Sequence, residues 1–365
     1  MKLRADCFYF KGDKPCRYKR LCDGCPHYKA FPPKVLIIKC RAQGDVLRTT
    51  ALLPGIKRKY EPSHITWLVD EESLDLLHNN PYIDRLLGYR LADIMPLLSE
   101  KFDVLISLDK EPPSTSLASM VESGCKFGFG MNDFGNLIAF NKGADYAYRL
   151  GVDDDLKFRQ NNLTYQQIIY KTAEIDYRNE GYIFRPEEKH KEKALRFFKK
   201  NAPNESRAAV GLNTGAGVKF ETKQWPAEYY LKLIESLHTR LRANIFLLGG
   251  GRERELNRFL EKRACVRVFN TGSDNSLLEF AGFLSLMDVI VTSDTLGMHL
   301  ALAQNIKVIA LFGPTCPQEI DLYGKGTKIF AGVDCSPCYK QTCADMKCME
   351  SISPEQVFDE IEKLI

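Results

Sequence analysis

The chain has 365 residues, 44% of them hydrophobic and 27% charged, and a net charge of +4, which is enough length for two domains with separate cores. That charge is too mild to argue for nucleic acid as a partner and is compatible with anionic substrates or loose attachment to an anionic membrane surface. No apolar run approaches the roughly 18 residues that span a bilayer, and the first residues lack the hydrophobic stretch of a signal peptide, so a cytoplasmic protein is the expectation.

The twelve cysteines are not evenly spread. Cys7, Cys16, Cys22 and Cys25 crowd an arm over residues 1–33, which Phe31-Pro-Pro33 closes. After it, strand Val35–Lys39, a turn through Gly44-Asp45 and a helix towards Tyr60 open an α/β series. Ile65–Val69 reads as the next strand and Glu71–Asn79 as a helix, with Val104–Leu108 and Lys126–Phe129 continuing more weakly. Residues 132–162 are polar, Gly-rich and unassigned. These segments make up a first domain over 34–185.

A charged amphipathic helix from Pro186 to Lys200 leads into a second unit over 186–353. Its strands are Ala208–Asn213, Ile245–Leu248, Val266–Phe269, Val289–Thr292 and Val308–Phe312; its helices are Pro226–Arg240, Arg252–Lys262 and Ser276–Ser285, with another after Thr295. A cysteine-rich loop (Cys335, Cys338, Cys343, Cys348) and a terminal helix over 354–365 complete the chain. Strands alternating with helices imply parallel sheets covered on both faces, so the fold class is α/β, two doubly wound domains with a cleft between them.

Val289-Ile-Val-Thr-Ser-Asp-Thr295 followed by an Ala/Leu-rich helix is a strand, a small polar turn and a helix start. Such a junction aims backbone N–H groups and the positive end of a helix dipole at one point, at the carboxyl end of a strand where open sheets bind ligands. An anion pocket for a phosphate or diphosphate is one reading of Asp294 and Thr295; a plain helix cap is the other. Asn213-Thr-Gly-Ala-Gly217 follows another strand with small residues and the Thr214 hydroxyl. Lys223, just before Pro226, sits by a helix N-terminus where a cation is unfavourable unless an anion is shared; a solvated surface Lys is the alternative. In the first domain, Arg41-Ala-Gln-Gly-Asp-Val46 is not a G-x-G-x-x-G dinucleotide fingerprint. Asp45 there serves either as a helix cap or as a general base facing the cleft.

Taken in order, these segments resemble the bacterial glycosyltransferases that include the lipopolysaccharide heptosyltransferases, family 9. The matching stretches are Val35-Leu-Ile-Ile-Lys…Gly44-Asp-Val46, Asn79-Asn-Pro-Tyr-Ile-Asp84, Asn213-Thr-Gly…Lys223-Gln-Trp-Pro226, Ser293-Asp-Thr-Leu-Gly-Met-His299, Leu311-Phe-Gly-Pro-Thr315 and the late Cys335-Ser-Pro-Cys…Cys348-Met349 loop. The resemblance implies the GT-B architecture: two Rossmann-like domains facing a cleft, the second holding a nucleotide-diphospho-sugar such as ADP-heptose and the first receiving a lipid-linked glycan acceptor. It implies Asp45 as catalytic base and donor contacts from Thr214, Gly215, Lys223, Glu253, Asp294, Thr295, Gly297 and His299. Arg41 and Arg48 are candidates for acceptor phosphate or carboxylate groups. It further implies inverting transfer with no cofactor and no nucleic-acid partner, at the inner face of the membrane with peripheral contact. Departures from the family pattern are Leu296, which stands where Gly is usual, and Gln43, which replaces an aliphatic residue.

Asp153-Asp-Asp155 carries the D-x-D pattern of metal-dependent glycosyltransferases but lies in a polar connection, and reads as a solvated charge run. Four thiolates in a short arm, with a C-x2-C half-site, suit structural zinc or an iron–sulfur cluster; such an arm has too little core to hold itself together. The late quartet, whose resemblance to a family loop implies a structural role, offers a second site, a disulfide pair, neither of these, or a half-site sharing one ion with the arm. Cys40, Cys125, Cys265 and Cys316 read as packed residues. The alternatives to a transferase are a metal- or iron–sulfur-cluster redox or sensor protein on a GT-B scaffold, and a sugar-nucleotide epimerase or hydrolase.

Overall fold

A computed structural model of the chain describes residues 3–201, 203–204, 206–217 and 220–365. Its strands are β1 (Lys34–Ile38), β2 (His64–Val69), β3 (Arg85–Gly88), β4 (Lys101–Ser107), β5 (Glu122–Met131), β6 (Leu137–Ala139), β7 (Ala209–Asn213), β8 (Asn244–Leu248), β9 (Phe269–Asn270), β10 (Val289–Ser293), β11 (Lys307–Phe312) and β12 (Gly326–Phe330). They form two six-stranded sheets ordered β3-β2-β1-β4-β5-β6 and β12-β11-β10-β7-β8-β9. Counted from its own first strand, each sheet has the doubly wound order 3-2-1-4-5-6, and all pairings are parallel except β5 with β6. In that order the chain reverses direction across the sheet between β1 and β4, and again between β7 and β10. Loops splay apart at these points and leave a crevice.

The central strands β1, β7, β8 and β10 are apolar runs because helices cover both of their faces; all but Lys34 in them are buried. The short edge strands escaped the sequence reading. β3 and β12 are half-exposed and lack an apolar run, as do the helices Leu91–Ser99, Pro112–Met120 and Tyr165–Thr172, whose apolar stripes are short or interrupted. Three expected elements differ in detail. Val266–Phe269 is a strand only from Phe269. The helix placed at Glu71–Asn79 is a 3-10 turn, Glu71–Ser73, followed by one α-turn, Leu74–Leu77. The helix placed from Pro186 begins as a 3-10 turn at Glu188 and becomes α-helical over Glu192–Asn201.

One apolar cluster runs through both domains, joining Leu76, Leu77 and Val46 of the first to Ala281, Phe283 and Met298 of the second. The terminal helix Pro354–Glu362 buries Val357, Phe358 and Ile361 in the second domain's other cluster, with the Arg240 guanidinium 3.7 Å over the Phe358 ring. No described helix is long and apolar enough to cross a membrane.

Candidate active site

The βα turn after β1 carries a backbone that few side chains adopt: Ala42 has φ +61° and ψ +96°, immediately before the helix Gln43–Thr49. Strained residues persist where the surroundings over-determine them, and Asp109 does so here. It follows β4, is buried, and accepts from Lys39 Nζ at 2.6 Å, the Cys40 N–H at 2.5 Å and the Arg41 N–H at 3.4 Å. Lys39 in turn donates to the Arg41 carbonyl at 2.7 Å and stands 4.0 Å from Asp45 Oδ2. The pair therefore clamps the turn that presents Asp45.

Asp45 lies in the first turn of its helix and makes no capping bond there; its partners are Lys39 and Arg48 Nη1, the latter at 3.2 Å. Of the two candidate arginines, Arg41 is exposed and pairs with Asp70 at 3.5 Å, whereas Arg48 is buried between the domains. Its Nη2 donates to the Glu319 carbonyl of the second domain at 2.8 Å, and its guanidinium lies 4.0 Å over the Tyr165 ring. The seam is tight: a Cβ on Gly44 would sit 3.0 Å from His299 Cδ2.

On the facing side, Thr295 begins the helix Leu296–Ala303 without a side-chain cap. Asp294 does not cap it either; its carboxylate receives Lys223 Nζ at 3.1 Å, and Lys223 also donates to the Asp294 carbonyl at 2.7 Å. Burial works against the charged form of Asp294, yet Lys223 holds it at about 2. His299 Nε2 is 3.8 Å from Asp294 Oδ1, and its Nδ1 is 3.4 Å from the Tyr182 hydroxyl. Burial, and then the Arg48 guanidinium, push the imidazole down to about 3, so it is neutral. Burial also pushes the Glu319 carboxyl up, against Arg48 and Lys157.

The remaining candidate positions divide between packing and a neighbouring cavity. Thr214 aims its hydroxyl into the domain, donating to Asn257 Oδ1 at 2.6 Å, and is fully buried. Thr295 Oγ1 accepts from Asn213 Nδ2 at 3.1 Å, and a Cβ on Gly297 would come within 2.6 Å of that same nitrogen. Leu296 packs onto the shared apolar cluster. Gly215 leaves room for Glu253, whose Oε1 would lie 3.0 Å from a Cβ there; Glu253 Oε2 accepts the Gly250 N–H at 2.8 Å. Ala216, Gly217, Gln224, Arg252 and Glu253 line a cavity of about 430 Å³.

The three buried or half-buried cations of the seam, Lys39, Arg48 and Lys223, each face a carboxylate: Asp109, Asp45 and Asp294. Uncompensated attraction for an anion comes instead from the uncapped N–H groups at Thr295–Gly297. Arg48 Nε and Thr315 Oγ1 are among eleven buried side-chain polar atoms that have no partner among the described residues.

Asp109, Lys39, Asn213, Tyr182 and Glu319 were not singled out from the sequence. Asp109 had one signal, its place directly after an apolar run, but only the strand order sets it beside β1. Asp153 and Asp155 bond locally, to the Leu156 N–H and the Gln160 side chain. All twelve cysteines are free; of the four expected to pack in the core, Cys40 and Cys316 are buried, but Cys125 faces solvent on β5 and Cys265 is exposed in a loop. The arm's four line a cavity built of arm residues alone, so the two quartets do not share a site. In the late quartet Cys348 is buried, and burial, with Cys335, Cys338 and Cys343 nearby, pushes its thiol up.

Comparison with known proteins agrees with this architecture. The lipooligosaccharide heptosyltransferase 2 of Campylobacter jejuni (serotype O:6, strain 81116) is 30% identical over 163 residues, 42% of this chain and 51% of that protein. The chain thus spans about half the length of the first such relatives, 51% and 50%. The lipooligosaccharide heptosyltransferase 2 of Haemophilus ducreyi is 22% identical over 91% of this chain and 99% of its own length. The crystal structure of a family 9 glycosyl transferase from Veillonella parvula superposes with a TM-score of 0.73 at 20% identity, covering 92% of this chain and 98% of that one. The fold is GT-B, and residues 92–349 match the profile of glycosyltransferase family 9 (heptosyltransferase). The chain belongs to that family.

Proposed function

We propose that the protein transfers a sugar, a heptose, from a nucleotide-diphospho-sugar of the ADP-heptose type to a lipopolysaccharide-core or related lipid-linked acceptor, with inversion and without a cofactor for the transfer step. The observation that carries this reading is the placement of Asp45 across a closed domain seam from Asp294, His299 and the uncapped helix start at Thr295. Direct displacement at an anomeric carbon needs one base for the acceptor hydroxyl and fixed positive potential for the departing diphosphate. Asp45 is the base, held by Arg48 and Lys39. The helix N–H groups receive the diphosphate, and Lys223 turns from Asp294 to a phosphate oxygen as the donor enters. Neutral His299 and ionised Asp294 face the sugar, and the cavity beside Glu253 takes the ribose and base. The mild net charge of +4 suits a peripheral approach to the acceptor at the inner membrane face.

The test is Asp45→Ala, assayed for transfer from the nucleotide-heptose and for donor-induced thermal stabilisation. Transfer falls by about 10²- to 10⁴-fold while donor stabilisation persists; normal turnover would remove Asp45 as the base. The redox or sensor alternative draws no support from the family match.

A further inference from the structure

The arm before β1 is an unusual piece of chain. Over residues 3–33 it has no helix and no strand beyond an isolated bridge between Cys7 and Ala30, and not one of its residues is buried. None of them belongs to an apolar cluster. A segment without a core cannot offset its own ordering entropy. Yet its conformation is specific. Its two ends are zipped by Phe8 N–H to the Lys29 carbonyl at 2.7 Å and Phe31 N–H to the Asp6 carbonyl at 2.9 Å. Tyr18 stacks on His27 at 4.0 Å, and Phe8 and Phe31 dock on His64 of the first domain.

What the fold gathers at its centre is sulfur. Cys7, Cys16, Cys22 and Cys25 all line one cavity of about 360 Å³, and all four are free thiols. Arg4, Lys11, Lys14, Lys19 and Arg20 stand on the same cavity wall. Residues 1–33 hold eight Lys and Arg against three Asp, a net +5 in a chain whose total is +4. The protein's whole positive surplus therefore lies in this arm.

The spacing of the thiols separates two occupants. Zinc with Zn–S bonds of 2.3 Å draws four sulfurs to about 3.8 Å from one another. Among the described residues no three Cys, His, Asp or Glu side chains are gathered to hold a single ion, whereas all four arm cysteines line one cavity. We propose that this cavity holds an iron–sulfur cluster of the cubane type, ligated by Cys7, Cys16, Cys22 and Cys25. Such a cluster with four thiolates is an anion, which the surrounding cations offset. Its role is to staple a core-less arm onto the first domain. It is separate from the transfer chemistry, and the two readings stand or fall independently.

The experiment uses the full chain purified anaerobically, with iron, zinc and acid-labile sulfide measured per chain beside the visible spectrum. The same measurements are made on Cys22→Ser/Cys25→Ser and on Cys338→Ser/Cys343→Ser. The expected result is that the first variant loses about four iron and four sulfide per chain, together with the visible thiolate-to-iron absorption, while the second keeps them. A far-UV circular dichroism spectrum and a cooperative urea transition like the wild type's show that the two domains of the first variant remain folded. Should that variant not fold, alkylation of the native wild-type protein decides, with the four arm thiols protected until iron is removed. One zinc per chain without sulfide, arm thiols alkylated at once in the native protein, or arm disulfides would each overturn the proposal.

Discussion

Arg48 reaches across the domain seam to the backbone of Glu319: its Nη2 donates to the Glu319 carbonyl at 2.8 Å while its Nη1 holds Asp45 at 3.2 Å. One guanidinium thereby ties the candidate base to the opposite domain. A planar fork does both through two spaced nitrogens while lying over Tyr165; the single nitrogen of an ammonium has no such spread and no face to lay on the ring.

Arg48→Lys keeps the charge and loses the fork. The expected outcome is a fall in kcat of about tenfold or more, in line with the cost of a misplaced reacting group. Steady-state kinetics check this, and an unchanged kcat would mean that the Glu319 contact does not position Asp45.

At Gly44 the measure is steric. A methyl group there meets His299 Cδ2 at 3.0 Å and Nε2 at 3.5 Å, so the seam opens by a few tenths of an ångström. Gly44→Ala lies within a helix, where Ala is favoured over Gly by up to about 1 kcal/mol. Stability by urea unfolding therefore holds or rises, while kcat falls about tenfold. A loss of stability with normal kcat would contradict the proposed closed seam.

The Lys39–Asp109 pair is buried on both sides and its bond is 2.6 Å. Removing one partner leaves an uncompensated charge, so Asp109→Ala costs about 3–5 kcal/mol. Lys39→Met in the same chain removes the orphaned ammonium and restores part of that loss. A double-mutant cycle by urea unfolding measures the coupling; additive losses would show that the pair is not a unit.

The folded-state pKa of His299, about 3, lies below its ordinary 6.5. The unfolded chain therefore binds the proton first as the pH drops. Stability is unaffected by this group above pH 6.5 and is lost as the pH falls from 6.5 towards 3, with a slope of up to about 1.4 kcal/mol per pH unit. Asp294 adds a loss of the same sign below its ordinary 3.8. Glu319, raised by burial, contributes the opposite sign and cancels when variants are compared. Unfolding midpoints between pH 7 and 4.5 decline less steeply in His299→Gln than in the wild type; parallel curves would show that His299 is not buried and neutral.

The two-domain α/β pattern was legible because buried parallel strands are apolar on both faces, so β1, β7, β8, β10 and β11 announce themselves as short β-branched runs. The turns after them were legible too, since Gly44-Asp45 and Ser293-Asp-Thr295 are changes of residue type at a strand's end. The edge strands β3 and β12 were not, because half-exposed strands carry no such run. Nor could spacing decide whether Asp294 caps a helix or pairs with Lys223. Both need the same residue at the same place, and only the fold, which brings Lys223 within 3.1 Å, distinguishes them.

By itself, then, the sequence determined the architecture, the family resemblance and which turns face the cleft, because those depend on local patterns of burial and turn chemistry. Tertiary structure alone decided that Thr214 points inward, that Asp109 clamps the Asp45 turn, and that Arg48 joins the domains at Glu319. Arg48 and Glu319 stand 271 residues apart. No local propensity records a contact at that separation; it exists only because two independently patterned sheets present their carboxyl ends to each other.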